Sequence, residues 1–205
     1  MSKNKPLIIF EGIEGTGKTT LINHISRFLN KKKIDHIKIR EPGGNKNSEL
    51  IRKLILNKKS KFNSFTDLML YFASRSENIE KIINKYYNKK IILVDRFTDS
   101  TLAYQHYGMG INVKFIKTIN KHLLKDIKVS FTFLNLVNEK NLKKRLNLRK
   151  KKNRYDNFKI EFYKKVQNGF LKLSKNNRKY ILINSNKSLS DNKKKVLNKV
   201  IQLLK

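Results

Sequence analysis

The amino-acid sequence predicts an α/β fold, a five-stranded parallel sheet flanked by helices. Short apolar runs bounded by turn residues recur along the chain, and segments with helical apolar spacing lie between them, the pattern of βαβ units. One run, Ile91 to Val94, is apolar at four consecutive positions rather than alternating. A strand reads this way when both of its faces are covered.

Leu7 to Phe10 is the first strand. Leu21, Ile22, Ile25, Phe28 and Leu29 then recur at helical spacing between Lys18 and Asn30, and Ile34 to Ile39 alternates as the second strand. Asn47 to Asn57 and Thr66 to Asn88 read as helices, followed by the strand at Ile91. The last two strands are Val129 to Leu136 and Lys179 to Ile183. Between them lies a basic stretch from Lys140 to Arg154, then an amphipathic helix through Ile160, Phe162, Tyr163 and Val166. Leu189 to Leu204 reads as a closing helix. Pro6 and Pro42 are the only prolines, and no linker or repeat divides the sequence. One domain over residues 1–205 is expected, with a basic insertion between its fourth and fifth strands.

Cysteine is absent, which excludes a disulfide scaffold, a thiolate nucleophile and a Cys-based zinc site, and fits a reducing cytoplasm. His24, His36, His106 and His122 have no metal-ligand spacing. No apolar stretch approaches the roughly 20 residues of a membrane span. The 48 Lys and Arg against 15 Asp and Glu give a formal charge of +33. Such a charge invites nucleic acid, because a basic chain gains affinity from counterion release. The composition points elsewhere. Lysine accounts for 39 of the basic residues and arginine for 9, while Asn (25) and Ile (23) are also inflated. All three inflated residues have A/T-rich codons, and the lysines are scattered along the whole chain. A solvated coat is expected, with nucleic acid not a partner.

Residues 12 to 19 read Gly-Ile-Glu-Gly-Thr-Gly-Lys-Thr between a predicted strand and a predicted helix, the context in which G-x-x-x-x-G-K-S/T binds nucleotide phosphates. Gly12, Gly15 and Gly17 let the backbone turn tightly, so that N–H groups from Gly12, Ile13, Glu14, Gly15, Thr16 and Gly17 face inward, beside the positive end of the helix. Lys18 reaches the β- and γ-phosphates of ATP and the Thr19 hydroxyl ligates Mg²⁺. The fold is thus of the phosphate-loop NTPase type. An NTPase motor usually places paired acids after its third strand, whereas here Asp95 is followed by Arg96. An arginine at that strand end suits a second anion, which points to phosphoryl transfer between nucleotides.

Four motifs in order resemble the thymidylate kinase family, over Ile8 to about Phe170. The first is Phe10-Glu11-Gly12 continued through Thr20. The second is Arg40-Glu41-Pro42-Gly43-Gly44, usually closed by Thr where this chain has Asn45. Leu70-Tyr71-Phe72-Ala73-Ser74-Arg75 is similar to the third. Asp95-Arg96-Phe97 with Ser100-Thr101 and Ala103-Tyr104-Gln105 is similar to the fourth.

The resemblance implies phosphorylation of dTMP to dTDP by ATP with Mg²⁺, in the supply of dTTP, by a cytoplasmic homodimer. It implies that Tyr71 stacks on thymine, that Arg75 donates to a thymine carbonyl, and that Ser100, Thr101 and Gln105 complete the base pocket with Glu41 and Pro42. Arg96 clamps the dTMP phosphate. Tyr104 sits against the sugar 2′ position and Glu14 accepts from the 3′-OH. Asp95 orients either the water shell of the metal or Arg96.

Members of this family without an arginine in the phosphate loop use lid arginines on ATP, and Gly15 stands where the loop arginine would fall. That implies a lid at about 140–158, with Arg145, Arg149 and Arg154 beside Lys18 and Arg96 in catalysis. These three arginines fall within ten residues of a chain that otherwise prefers lysine, and a planar fork on phosphate is not replaced by an ammonium without loss. The usual Asp-Arg-x-Glu reads here Asn153-Arg154-Tyr155-Asp156. Arg75 beside Glu77 also reads as a surface ion pair. A kinase for another monophosphate and a nucleic-acid-stimulated ATPase are the competing readings.

Overall fold

The computed structural model describes residues 5–149 and 153–204. β1 (Leu7–Glu11), β2 (His36–Arg40), β3 (Ile91–Asp95), β4 (Phe131–Leu136) and β5 (Tyr180–Asn184) form one sheet in the order β2-β3-β1-β4-β5, with every pair parallel. The expected five-stranded sheet is present. Parallel neighbours need crossovers, and helices supply them. These are α1 (Lys18–Lys31), α2 (Lys46–Leu56), α3 (Ser64–Asn78), the short α4 (Asn84–Tyr86), α5 (Thr98–Thr101), α6 (Val113–Leu124), α7 (Glu139–Asn147) and α8 (Ile160–Ser174), with α9 (Leu189–Leu204) after β5. A π-helical stretch, Ile79–Ile83, joins α3 to α4, a second, Leu102–Gly108, extends α5, and Arg154–Asn157 is a 3₁₀ turn.

The continuous apolar run of β3 is explained by its two covered faces. Ile91 and Leu93 pack with Ile8 and Phe10 of β1 against Leu21, Ile25 and Leu29 of α1 and Val196 and Val200 of α9. Ile92 and Val94 pack with Leu7 and Ile9 against Ile79 and Ile83 on the other side. Both layers place the carboxyl ends of β1 and β3 side by side, with Phe10 in register with Asp95. That edge is where an open parallel sheet receives ligands.

Several boundaries move by two residues. The second strand starts at His36 rather than Ile34, because the Ile34 N–H bonds back to Leu29 O and still closes α1. β4 starts at Phe131, since Ser130 reaches sideways, its hydroxyl accepting from Leu7 N. The helix expected from Thr66 begins at Ser64, where the Asn63 side chain caps it by accepting from Thr66 N. Helical structure over 98–108 and 113–124 has no counterpart in the sequence reading, although Ile116, Ile119 and Leu123 carry helical spacing. α7 occupies the start of the expected lid, and Lys150, Lys151 and Lys152 lie outside the described residues.

Candidate functional site

The loop between β1 and α1 turns through left-handed backbone at Gly12, Gly15 and Gly17, with φ of 133°, 68° and 87°. At Gly12 a Cβ would stand 2.3 Å from the Asn135 carbonyl oxygen, so β4 leaves no room for a side chain. The loop is tied down from the far side of the sheet, where Asn135 Nδ2 and Ser185 Oγ donate to Thr16 O at 3.2 and 2.9 Å. Lys18 is buried, and its ammonium donates to Gly12 O and Ile13 O at 2.8 and 2.9 Å. Burial and the nearby Arg96 lower Lys18 to about 8, against the opposing pull of Asp95, Glu14 and Glu11. The Thr19 hydroxyl donates to Asp95 Oδ2 at 2.7 Å.

Arg96 faces this loop. Its Nη1 donates to Gly12 O and its Nη2 to Glu14 Oε1, both at 2.9 Å, and its guanidinium lies 5.1 Å from the Tyr104 ring centroid. The Tyr104 hydroxyl donates to the other Glu14 oxygen at 2.5 Å. Burial works to lower the Arg96 guanidinium, but Tyr104, Glu14, Asp95 and Glu11 more than offset it and hold the charge firmly. Behind Arg96 sits Glu11, fully buried. Burial and the charge on Asp99 push it up to about 7, partly countered by hydrogen bonds from Ser100 and the Phe97 N–H and by Arg96.

Arg75 is buried rather than paired at the surface with Glu77. Its Nε donates to Glu41 Oε2 at 2.8 Å, Nη1 to Asn120 Oδ1 at 2.8 Å and Nη2 to Thr101 Oγ1 at 3.0 Å. Glu77 instead accepts from Asn47. Burial raises Glu41 despite the adjacent guanidinium. The turn at Gly43 and Gly44 takes φ of 111° and 118°. Asn45, in the position usually held by Thr, caps α2 by accepting from Ser48 N at 3.0 Å. Burial pushes the Tyr71 hydroxyl up to about 12.

One cavity of about 800 Å³ collects these groups. Its lining takes in Glu14 to Thr19, Glu41, Pro42, Tyr71, Arg75, Asp95, Arg96, Ser100, Thr101, Tyr104 and Gln105, with Arg145 and Arg149 at one side. Gly12 and Ile13 support the loop from beneath. Arg145 donates to Gly15 O and Ser185 O, and Arg149 pairs with Asp156. Arg154 lies apart from the lining, on Asp67 of α3 and Ile55 O of α2. Asn153 and Asp156, the altered motif positions, form a reciprocal cap of the 3₁₀ turn.

The structure adds residues that the sequence reading gave no role. Arg52 of α2 lines the same cavity and donates to Pro42 O at 2.6 Å. Tyr155 is buried and meets both Tyr71 and Tyr104 edge to face, with ring centroids 6.3 and 6.2 Å apart. Arg52 had a signal of composition, as one of only nine arginines, whereas Tyr155, at the x of Asp-Arg-x-Glu, had none.

A parallel α/β sheet whose β1–α1 loop reads G-x-x-x-x-G-K-T, with an arginine from the end of β3 facing it, is the arrangement of the phosphate-loop phosphotransferases as a class. A family profile described as thymidylate kinase matches residues 10–196. The thymidylate kinase of Staphylococcus epidermidis is 37% identical over 201 residues, covering 97% of this chain and 98% of that protein. That of Kosmotoga olearia is 34% identical over 177 residues, covering 86% and 85%. The crystal structure of thymidylate kinase from Ehrlichia chaffeensis superposes with a TM-score of 0.78 at 31% identity, covering 98% of this chain and 100% of that one. The chain therefore belongs to the thymidylate kinase family. A member of this family is a phosphotransferase acting on dTMP, which it converts to dTDP with ATP as phosphoryl donor.

Proposed function

We propose that this chain carries the γ-phosphoryl group of ATP to dTMP across the cavity between residues 12–19 and Arg96. The observation that carries the reading is the facing of two anion sites in one cavity whose remaining wall holds Tyr71, Arg75 and Gln105. A mononucleotide with its phosphate on Arg96 directs its base to that wall. Of the five N–H groups of a guanidinium, the three acceptors that Arg75 finds among the described residues leave one on each Nη for a thymine carbonyl. Cytosine would present an amino donor there and be refused. Gln105 Nε2 is buried without a protein partner among the described residues, as suits an amide that serves a ligand. Tyr71 supplies the stacking face, Ser100 and Thr101 the pocket floor, Tyr104 the exclusion of a 2′-hydroxyl and Glu14 the acceptor for the 3′-OH. Arg52 joins Arg96 on the phosphate.

The acceptor oxygen needs no strong base, because a phosphate monoester loses its second proton near ~6. Catalysis is then the holding of two repelling anions in line and the neutralising of charge on the group in flight. Lys18, Arg96 and Arg145, Arg149 and Arg154 divide that work. The Thr19 hydroxyl and the Asp95 carboxylate, 2.7 Å apart, form an all-oxygen pair. Such a pair fits Mg²⁺, which takes one or two protein oxygens beside phosphates and water and, when bound, offsets phosphate charge.

The reading includes a cytoplasmic homodimer. Its support is the exposure of Leu50 and Leu54 on α2 and Phe65 and Met69 on α3, at 56%, 50%, 53% and 42%, an apolar face of the kind that seeks a partner. Sedimentation as a monomer at micromolar concentration would remove that part. No helix among the described residues is long and apolar enough to cross a membrane. The test of the activity is an ADP-release assay with each nucleoside monophosphate in turn, with and without DNA. ADP should form with dTMP and stay at background with the others. Release driven by DNA instead, or no response to dTMP, would overturn the proposal.

A further inference from the structure

The last residue of β1 is a glutamate in an otherwise apolar strand, and it is wholly buried. A buried carboxylate requires donors. Glu11 takes three from the turn after β3. Oε1 accepts from Phe97 N at 2.8 Å and Ser100 N at 3.1 Å, and Oε2 accepts from the Ser100 hydroxyl at 2.5 Å. These N–H groups open α5, whose N-cap residue, Phe97, brings no capping side chain. A strand residue 86 positions away in sequence from Phe97 thus fills the place of a local cap.

The same contacts reach Arg96. The Ser100 oxygen that donates to Glu11 accepts from Arg96 Nη1 at 3.3 Å. Arg96 itself takes φ of 71°, a left-handed backbone that a long side chain keeps only where its surroundings fix it. Glu11 secures the residues directly after that strained position. It also directly precedes Gly12, so one carboxylate joins the root of the phosphate loop to the turn that carries the facing arginine.

We infer that Glu11 is a positioning residue for the acceptor phosphate, fixing the turn from Arg96 to Ser100 so that the guanidinium stands at a set distance from the phosphate loop. This rests on the proposed role of Arg96 as the acceptor clamp. Above the value of about 7 to which burial pushes it, Glu11 is ionised and suited to the task, because each oxygen then only accepts, so the binding of dTMP and thymidine is compared at pH 8. In Glu11→Gln one orientation of the amide makes the Ser100 hydroxyl accept where it had donated, in competition with Arg96 Nη1, and the other sets N–H groups against two backbone N–H donors. Misplacement of a clamp by a fraction of an ångström is enough to slow an in-line transfer.

The test compares dTMP with thymidine, which lacks the phosphate, by calorimetric titration of the full chain, together with the KM for each substrate. Glu11→Gln should weaken dTMP binding about tenfold, the scale of one charged hydrogen bond lost, and raise the KM for dTMP by a similar factor. Thymidine binding and the KM for ATP should stay within about twofold of the unaltered chain. An equal loss for thymidine and dTMP, or no loss for dTMP, would overturn the inference. Arg96→Ala separates it from the reading beneath it. If Arg96→Ala binds dTMP as tightly as the unaltered chain, the clamp itself falls; if Arg96→Ala is weakened and Glu11→Gln is not, only the positioning role falls. Should Glu11→Gln fail to fold, Glu11→Asp keeps a carboxylate but draws it back by one methylene from Phe97 N, Ser100 N and the Ser100 hydroxyl, and should show a smaller loss, about threefold, with the same selectivity for the phosphate.

Discussion

Replacing Arg75 by Met would strand the Glu41 carboxylate in the core. The guanidinium is 1% exposed and the carboxylate 4%, Glu41 Oε1 has no protein partner, and Arg75 supplies the only counter-charge within ion-pair distance of Oε2 among the described residues. The cheapest escape for the variant is to bind a proton. Neutralising a carboxyl of ordinary value 4.5 at pH 7 costs up to about 3.4 kcal/mol, and less against the unaltered chain to the extent that its Glu41 is already raised. With the unmet acceptors on Asn120 and Thr101 the expected loss is about 2–4 kcal/mol.

The sign of the pH dependence follows from linkage. Glu41 is raised above its unfolded value, and further raised without Arg75, so the variant binds more protons folded than unfolded over the interval above 4.5. Its stability therefore rises as pH falls toward 4.5 and declines as pH rises. Urea unfolding at pH 7.0 and 5.5 should show the gap to the unaltered chain shrinking by up to about 2 kcal/mol. Adding Glu41→Gln to Arg75→Met should recover about 2 kcal/mol at pH 7, since no charge is then buried alone. A gap below 1 kcal/mol, a gap indifferent to pH, or a double variant no better than the single one would refute the argument.

Lys18 near 8 should take up a proton when ATP arrives, because anionic phosphates favour the ammonium form. At pH 8 the uptake should be about half a proton, vanishing below pH 7 and absent in Lys18→Met, read by calorimetry in two buffers of different ionisation enthalpy. Lys18→Ala or Arg96→Ala should lower turnover at least ~100-fold, the scale of one transition-state donor, measured at saturating substrates. Gly12→Ala and Gly17→Ala share a positive φ, but a Cβ at Gly12 meets a carbonyl at 2.3 Å and at Gly17 meets nothing within 4 Å. Thermal unfolding should therefore show Gly17→Ala costing about 1–2 kcal/mol and Gly12→Ala clearly more. Converting Arg145, Arg149 and Arg154 together to Lys should reduce kcat more than dTMP affinity, in steady-state kinetics with direct dTMP titration.

What the sequence made legible was what a local pattern encodes. The loop proposed for phosphate carries its own glycines and lysine at fixed spacing, and Tyr71 and Arg75 share a helix face one turn apart. Their convergence on one cavity then follows from the parallel sheet, which brings the ends of β1 and β3 together. Partners separated by long stretches of chain were not legible. Glu11 looks like the polar end of a strand until Phe97 and Ser100 fold over it, and Asn120 looks like a helix-surface residue until Arg75 reaches it. Arg52 resembles any solvated helix arginine, although its scarcity in a chain with 39 lysines marked it in the same way as the lid arginines.

The two sides of the cavity differ in readiness. Arg96 and Arg75 hold their positions through Glu14, Gly12, Glu41 and Thr101, contacts that leave N–H groups free and need not break when a nucleotide binds. The arginines proposed for ATP are engaged otherwise. Arg145 spans two backbone carbonyls, Arg149 pairs with Asp156, and Arg154 with Asp67. For any of these to bridge phosphates, an existing contact must be exchanged for a new one, so only the difference between the two appears in ATP affinity. Tyr155 gives that exchange a route to the acceptor side, since the turn that carries Arg154 also lays Tyr155 against Tyr71 and Tyr104. Asp67→Asn should release Arg154 from its strongest partner. It should therefore tighten ATP binding if Arg154 serves the phosphates, and leave ATP binding unchanged while weakening dTMP binding if Asp67 serves only to seat Tyr155, through Arg154 and through its own contact with the Tyr155 hydroxyl. Titration of each nucleotide separately distinguishes the two, and a variant that alters neither affinity would remove both roles.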